Sequence, residues 1–295
     1  MTCRLRRTLT VGDAFRDISG RLARAGVETS RLDARLLVAA ALAESGDGIT
    51  VLSQPARPLA ANEERFLYDL AGRRERREPL AQILGTREFW SLPFRVTVDV
   101  LTPRPDSETL VEAVLDWASR RRPAPLGLLD LGAGSGCLLL ALLSELPQAT
   151  GIGVDISEAA LAIGRQNAAA LGLERRAVFR HGDWCEGLEG SFDVIISNPP
   201  YIPADDLAKL QPEVRTFEPR LALAGGRDGL DAYRELIPGM CGLLATEGGV
   251  FLETGLGQTA AVSGILRENG LQVIEIKEDL SGIPRVIEAR REAGS

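Results

Sequence analysis

Asn198, Pro199, Pro200 and Tyr201 close the apolar run Phe192–Ser197, and their types suit one chemical task. The two prolines fix φ and carry no backbone donor, while their carbonyls remain as acceptors. Asn198 adds an amide that both donates and accepts, and Tyr201 adds a flat wall. Such a corner suits a planar amino group whose two hydrogens must be oriented. The plainer reading is a loop stiffened by proline after a buried strand. No general base is evident beside it.

A second group of residues could hold a small polar ligand. In the sequence LLDLGAGSGCLLLALL, residues Gly132, Ala133, Gly134, Ser135 and Gly136 join a strand to a helix. Glycines there let the backbone turn tightly and approach a ligand at a helix N-terminus. The pattern is G-x-G-x-G; a dinucleotide fingerprint needs its third glycine at position 137, which is Cys137. Asp155 ends the next strand, where such folds place an acid for ribose hydroxyls. It also reads as a cap for the following helix, and with Ser157 available both tasks can be met. Asp183 and Trp184 end a third strand. An acid there could take an adenine amino hydrogen, and the indole suits either the adenine ring or the core.

The elements that must position these residues are legible in the texture of the chain. Up to about residue 85 the pattern is helical, with apolar residues at Leu32, Leu36, Leu37 and Ala40, and again at Leu59, Phe66, Leu67 and Leu70. This predicts a helical N-terminal domain over 1–85. A short hairpin around Ser91, Leu92 and Pro93 makes 86–103 a linker. From 104 to 295 strands and helices alternate, the signature of a parallel sheet flanked by helices. Strands are expected at 127–132, 150–155, 177–182, 192–197, 248–254, 271–276 and 284–289. The last two have too short a connection for a parallel crossover, so they form an antiparallel pair at one edge. Three strand ends then converge on one ligand, because open α/β sheets bind beyond the carboxyl ends of their strands.

Composition excludes several classes. The 295 residues are 45% hydrophobic and 25% charged, as expected of soluble globular material. No apolar stretch is long enough for a membrane span or a signal peptide, which reads as cytoplasmic. Cys3, Cys137, Cys185 and Cys241 are widely spaced and the chain has a single histidine, His181, so neither a metal site nor a disulfide framework is expected. Residues 1–90 carry 15 Arg against 12 Asp plus Glu, giving +3; the total of −7 leaves −10 for residues 91–295. That balance disfavours a large phosphate footprint on the second part. Arg73, Arg74, Arg76 and Arg77 read either as a solvated helix end or as a docking patch for an acidic or RNA-containing partner.

Together DLGAGSG, the acid at VD and NPPY resemble S-adenosylmethionine-dependent methyltransferases that modify planar amino groups. The further order EPLAQILGTREFWSLPF, LTPRPDSETLVE, NPPYIP and VRTFEPRLALAGGRDGLDAYR, over residues 30–290, resembles the HemK/PrmC family, the glutamine-N5 methyltransferases of peptide-chain release factors. NPPY alone is shared with DNA and RNA amino methyltransferases; its combination with the other motifs is not. The resemblance implies a seven-stranded Rossmann-like, class I methyltransferase domain behind a small helical domain that recognises the protein substrate. It implies that residues 132–136 cradle the methionine and ribose side of S-adenosylmethionine, with Asp155 on the ribose, Asp183 and Trp184 at the adenine, and Asn198 touching the same ligand. Asn198 and the Pro199 carbonyl would take the two hydrogens of the substrate amide, with Pro200 and Tyr201 packing beside them. The products implied are S-adenosylhomocysteine and a methylated glutamine in the Gly-Gly-Gln loop of a release factor. A monomer without a nucleic-acid substrate is expected. The family commonly has Ile and Glu-Thr where this chain has Thr102 and Asp106-Ser107.

Rival readings are a ribosomal-protein glutamine methyltransferase, whose upstream motif tends to read PRSP, and an RNA or DNA amino methyltransferase. From other classes come a nicotinamide dehydrogenase, disfavoured by the glycine spacing, and a non-catalytic binding module, disfavoured by the intact NPPY.

Overall fold

The structure is a computed structural model and describes residues 9–42, 53–121 and 124–292. Cys3 lies outside them. The chain divides into two compact units, Met1–Gly85 with Pro212–Phe217, and Thr86–Gln211 with Glu218–Ser295. The hairpin after residue 85 therefore belongs to the larger unit, and one short helix from the second half of the chain belongs to the smaller.

In the small unit, α1 (Val11–Arg24) opens at Thr10, whose hydroxyl accepts from the Asp13 amide at 3.2 Å. It buries Val11, Ala14, Ile18 and Leu22, one face of a helix. The second helix, α2 (Ser30–Leu42), buries Ala34, Leu37, Val38 and Ala41, whereas Leu32 is 55% and Leu36 38% exposed. Of the expected stripe Leu32, Leu36, Leu37 and Ala40 only Leu37 is fully buried, and the buried stripe lies beside it. Every position from 36 to 42 is apolar, and the face that packs into the core is Ala34, Leu37, Val38, Ala41 and Leu42. Helix α3 (Ala61–Glu75) buries Leu67, Leu70 and Ala71 and leaves Phe66 exposed; α4 (Leu80–Leu84) and α8 (Pro212–Phe217) complete the unit.

The arginine cluster is not one solvated face: Arg76 is exposed, Arg73 and Arg77 are half-buried and Arg74 is buried. Arg73 pairs with Glu78, and Arg74, 6% exposed, donates to Asp33 at 2.7 Å and to Glu213 at 3.0 Å. Arg77 donates to Glu213 at 2.6 and 2.7 Å. Burial pushes the Glu213 carboxyl up, but the hydrogen bonds from Arg77 and Arg74 outweigh it and hold the group below the usual range.

The large unit begins with a hairpin of β1 (Thr86–Phe89) and β2 (Leu92–Arg95), turning through Trp90 and Ser91 at φ 51° and 56°. Both turn residues are left-handed, as the twist of a two-residue hairpin loop favours. A 3₁₀ turn, Pro105–Ser107, leads into α5 (Glu108–Ser119). Then follow β3 (Gly127–Leu131), α6 (Cys137–Glu145), β4 (Thr150–Asp155), α7 (Glu158–Ala170), β5 (Ala177–His181) and β6 (Phe192–Ser197). After α8 come α9 (Asp231–Leu243), β7 (Leu244–Glu253), α10 (Thr259–Glu268), β8 (Leu271–Glu278) and β9 (Pro284–Arg291).

The seven strands order as β5-β4-β3-β6-β7-β9-β8, parallel except for β9, which runs antiparallel to β7 and β8. This is the expected seven-stranded sheet with its antiparallel pair at one edge. Alternate residues of each strand feed two cores: Leu128, Phe251 and Val286 one, Leu129, Leu252 and Ile287 the other. The order reverses between β3 and β6, so a crevice opens beyond their carboxyl ends.

Candidate active site

The loop from β3 to α6 carries three glycines at positive φ, 76° at Gly132, 53° at Gly134 and 78° at Gly136. At Gly136 a Cβ would also stand 2.7 Å from the Phe179 ring, so close packing adds to the backbone demand. At Gly134 nothing lies within 4 Å, and backbone conformation alone accounts for the glycine. Asp155, at the end of β4, ties this loop down: Oδ2 accepts from the Gly134 amide at 2.8 Å and Oδ1 from the Ser157 amide at 2.9 Å. Ser157 caps α7, its hydroxyl accepting from the Ala160 amide at 3.2 Å. Below the loop, Asp130 is 1% exposed; burial first, and the Asp155 carboxylate second, push its pKa up to about 7.

Trp184 holds a left-handed φ of 45°, and its indole donates to Glu235 on α9 at 3.2 Å. Its ring lies against Gly132, where a Cβ would come within 3.3 Å. The indole therefore leans over the glycine loop.

The Asn198 corner is held from three sides. Asn198 Nδ2 donates to the Ser107 hydroxyl at 3.1 Å. Gln258 Nε2 donates to the Tyr201 carbonyl at 2.8 Å and to that of Gly229 at 3.3 Å. The strip after Glu218 runs alongside, with the Ile202 amide donating to the Leu223 carbonyl at 3.0 Å and the Gly225 amide to that of Ile202 at 2.9 Å. A Cβ on Gly225 would meet the Pro200 carbonyl oxygen and Tyr201 Cα at 2.8 Å. Glycine is what lets the two strips touch. Arg104 pairs with the buried Glu218 at 2.5 Å, joining the PRPDSE and FEPR segments.

Under the corner lies Glu253, 1% exposed at the end of β7. The Tyr201 hydroxyl donates to its Oε1 at 3.5 Å. Burial raises its pKa to about 7, against the opposing pull of the Ser107 hydroxyl and Arg285. Burial, then Glu253, also pushes the Tyr201 phenol up.

Gly132, Gly134, Asp155, Asp183, Trp184, Asn198 and Pro200 line one cavity of about 520 Å³. That is within the span of small-molecule sites, roughly 300–1,000 Å³. Ala133, Ser135, Gly136, Pro199 and Tyr201 do not line it; Pro199 is buried, and Ser135 is held by Asn167 Nδ2, which donates to its carbonyl at 2.8 Å. Asn167 also exchanges hydrogen bonds with the Arg95 backbone, at 2.7 and 3.2 Å, anchoring the hairpin to the glycine loop. Glycines at positive φ, an acid at one strand end and an indole at the next fit a nucleoside with a charged tail. The corner opens onto the same space. Burial pushes the thiols of Cys137 and Cys185 up to about 12 and about 11, so neither is a nucleophile at neutral pH.

The sequence does not single out Asn167, Glu253 or Gln258, and Ser107 stands out in it only as a departure from the family pattern. No local pattern signals them, since each acts on a residue remote in the chain.

Residues 108–211 match the family described as Methyltransferase small domain, and residues 13–85 the one described as PrmC N-terminal domain. A protein of Rhodospirillum rubrum named release factor glutamine methyltransferase is 48% identical over 92% of this chain and 82% of its own length. Proteins of the same name from Caulobacter vibrioides and Bradyrhizobium diazoefficiens are 43% and 44% identical over 95% and 96% of this chain, and 96% and 95% of their own lengths.

Proposed function

The chain belongs to the family of release factor glutamine methyltransferases, and from that premise we propose that the Asn198 corner holds the acceptor amide while the glycine loop, Asp155 and Trp184 hold the methyl donor. The enzyme transfers a methyl group from S-adenosylmethionine to the side-chain amide nitrogen of a release factor glutamine. The observation that carries the residue assignment is the single cavity onto which both groups open.

S-adenosylmethionine supplies an already activated sulfonium methyl when bound, so the protein's task is alignment. Asp155 and the Gly134 amide would order the ribose end, and Asp183 with Trp184 would bracket the adenine. An amide nitrogen is a poor nucleophile because its lone pair is delocalised into the carbonyl. Asn198 Oδ1 accepts no hydrogen bond from the described residues, since Nδ2 is the atom committed to Ser107. It is thus free to take one hydrogen of the substrate amide, with a proline carbonyl of the corner taking the other. Those bonds strengthen as positive charge develops on nitrogen, which stabilises the transition state more than the ground state. The acceptor is the glutamine of the Gly-Gly-Gln loop. The helical unit contributes the protein-protein recognition that one side chain cannot supply. The enzyme works as a monomer in the cytoplasm; among the described residues no helix is long and apolar enough to cross a membrane.

Asn198→Ala tests the assignment. Turnover with release factor should fall by roughly 100-fold or more while S-adenosylhomocysteine affinity stays within about 3-fold. Unchanged turnover would remove Asn198 from the chemistry.

A further inference from the structure

We propose that Glu235 is a specificity-determining residue for the methyl donor: one carboxylate oxygen holds the Trp184 indole in place, and the other accepts a hydrogen from the adenine 6-amino group. The inference rests on the donor placement given above and goes beyond it by naming a residue that reads the base.

Glu235 sits on α9, where Ala232, Tyr233, Leu236 and Ile237 are buried and fix the helix that carries it. It lines the cavity together with Asp183 and Trp184. Its Oε2 accepts from the Trp184 indole at 3.2 Å. Its Oε1 accepts no hydrogen bond, and Glu235 enters no ion pair, among the described residues. The neighbouring cation is already committed, since Arg234 pairs with Asp228 at 2.6 Å and with Asp231 at 3.0 Å. The cavity wall therefore offers a spare carboxylate oxygen beside an indole. That indole needs a tether from outside its own loop. Its φ of 45° is one that a bulky residue rarely adopts, and its ring rests against Gly132, where a Cβ would come within 3.3 Å. The indole nitrogen only donates, so what holds it must be an acceptor.

The adenine amino group also only donates, and it carries two hydrogens. An acceptor at Asp183 takes one and leaves the other for Glu235. A carboxylate has two accepting oxygens, so Glu235 serves the indole and the amino group at once. A glutamine at this position has one oxygen. Given to the indole, it turns its own NH2 toward the adenine amino group, donor against donor. A base without the amino group leaves the spare carboxylate oxygen unpaired, and a site built to hydrogen-bond a group rejects the analogue that lacks it. Because Glu235 is exposed, solvent competes, and the preference is about 10-fold rather than the larger factors of buried sites.

The test is calorimetric binding of S-adenosylhomocysteine and of its purine analogue, which lacks the 6-amino group, to wild type, E235Q, E235A, W184F and W184F/E235Q. Wild type should prefer S-adenosylhomocysteine by about 10-fold. E235Q and E235A should cut that preference to about 3-fold or less, by weakening S-adenosylhomocysteine and sparing the analogue. With Trp184 replaced by Phe, no indole competes for the glutamine oxygen, so W184F and W184F/E235Q should both keep the preference. A merely structural role for Glu235 would weaken both ligands alike and leave their ratio untouched. A melt of each variant shows that the binding chain is folded; if E235Q does not fold, E235A carries the test. No preference in wild type, a wild-type preference in E235A, or a preference lost in W184F/E235Q would overturn the proposal. Run beside them, D155A that binds S-adenosylhomocysteine as wild type does would sink the donor placement beneath it, whereas an impaired D155A with a wild-type preference in E235A would sink Glu235 alone.

Discussion

Gly225 is the position at which backbone geometry can be converted most directly into turnover. In Gly225→Ala the new methyl would stand 2.8 Å from the Pro200 carbonyl oxygen and Tyr201 Cα, and 2.9 Å from Gly229 Cα. All three are backbone atoms, so no side chain can swing away. Ordinary contact begins at 3.4 Å, and the difference, 3.4 − 2.8, means the corner must retreat by 0.6 Å. Overpacking of this kind costs roughly 1–3 kcal/mol of stability. A misplacement near 1 Å can cost about 100-fold in rate, so 0.6 Å should cost on the order of 10-fold in kcat. The donor end of the cavity is not displaced, and S-adenosylhomocysteine should bind within about 3-fold of wild type. Gly242→Ala is the control: it sits near the end of α9 with nothing within 4 Å, so the same substitution should stabilise by about 0.4–1 kcal/mol and leave turnover unchanged. Methyl transfer measured at saturating donor and release factor, with a denaturant melt of each variant, decides the matter. Wild-type turnover in Gly225→Ala would refute the claim that this contact places the corner.

Two further outcomes follow from buried charge. Arg74→Ala leaves Asp33, whose side chain is 4% exposed, without its partner, while Glu213 keeps Arg77; unfolding of the small unit should be easier by about 3–5 kcal/mol, and a melt unchanged to within a few tenths would contradict the pairing. Glu253 has its folded pKa raised to about 7 from 4.5, so between those values the folded state holds the extra proton and loses stability as pH rises. Because E253Q lacks this titration, its stability relative to wild type should increase by up to about 3 kcal/mol from pH 5 to pH 8; a difference independent of pH would contradict the burial of that carboxyl.

The sheet was legible because each strand is an apolar run bounded by turn residues, and because KEDLSGI is too short to cross over in parallel. The ligand end was legible for a topological reason: a glycine loop after one strand and acids after the next two must converge. What escaped is nonlocal. Arg74 and Glu213 are 139 residues apart, Asn198 and Ser107 are 91 apart, and nothing in either local sequence announces the other. The arginine run therefore read as one surface, although Arg74 is buried and Arg73 and Arg77 are engaged in ion pairs. In α2 the sequence offered two apolar stripes side by side, and the choice between them is made by packing in the small unit's core, which takes in Ala34, Leu37, Val38, Ala41 and Leu42. The glycines of LAGGRDG carry no chemical signal alone; Gly225 makes sense only once Pro200 and Tyr201 are seen beside it.

The central claim is that this corner methylates a release factor glutamine. It is tested most directly by incubating the enzyme with S-adenosylmethionine and purified release factor and measuring the mass of the peptide that carries the Gly-Gly-Gln sequence. One added methyl is expected, localised to that glutamine and absent with Asn198→Ala. A methyl elsewhere on the release factor, or an unmodified peptide from an enzyme that binds S-adenosylhomocysteine normally, would contradict it.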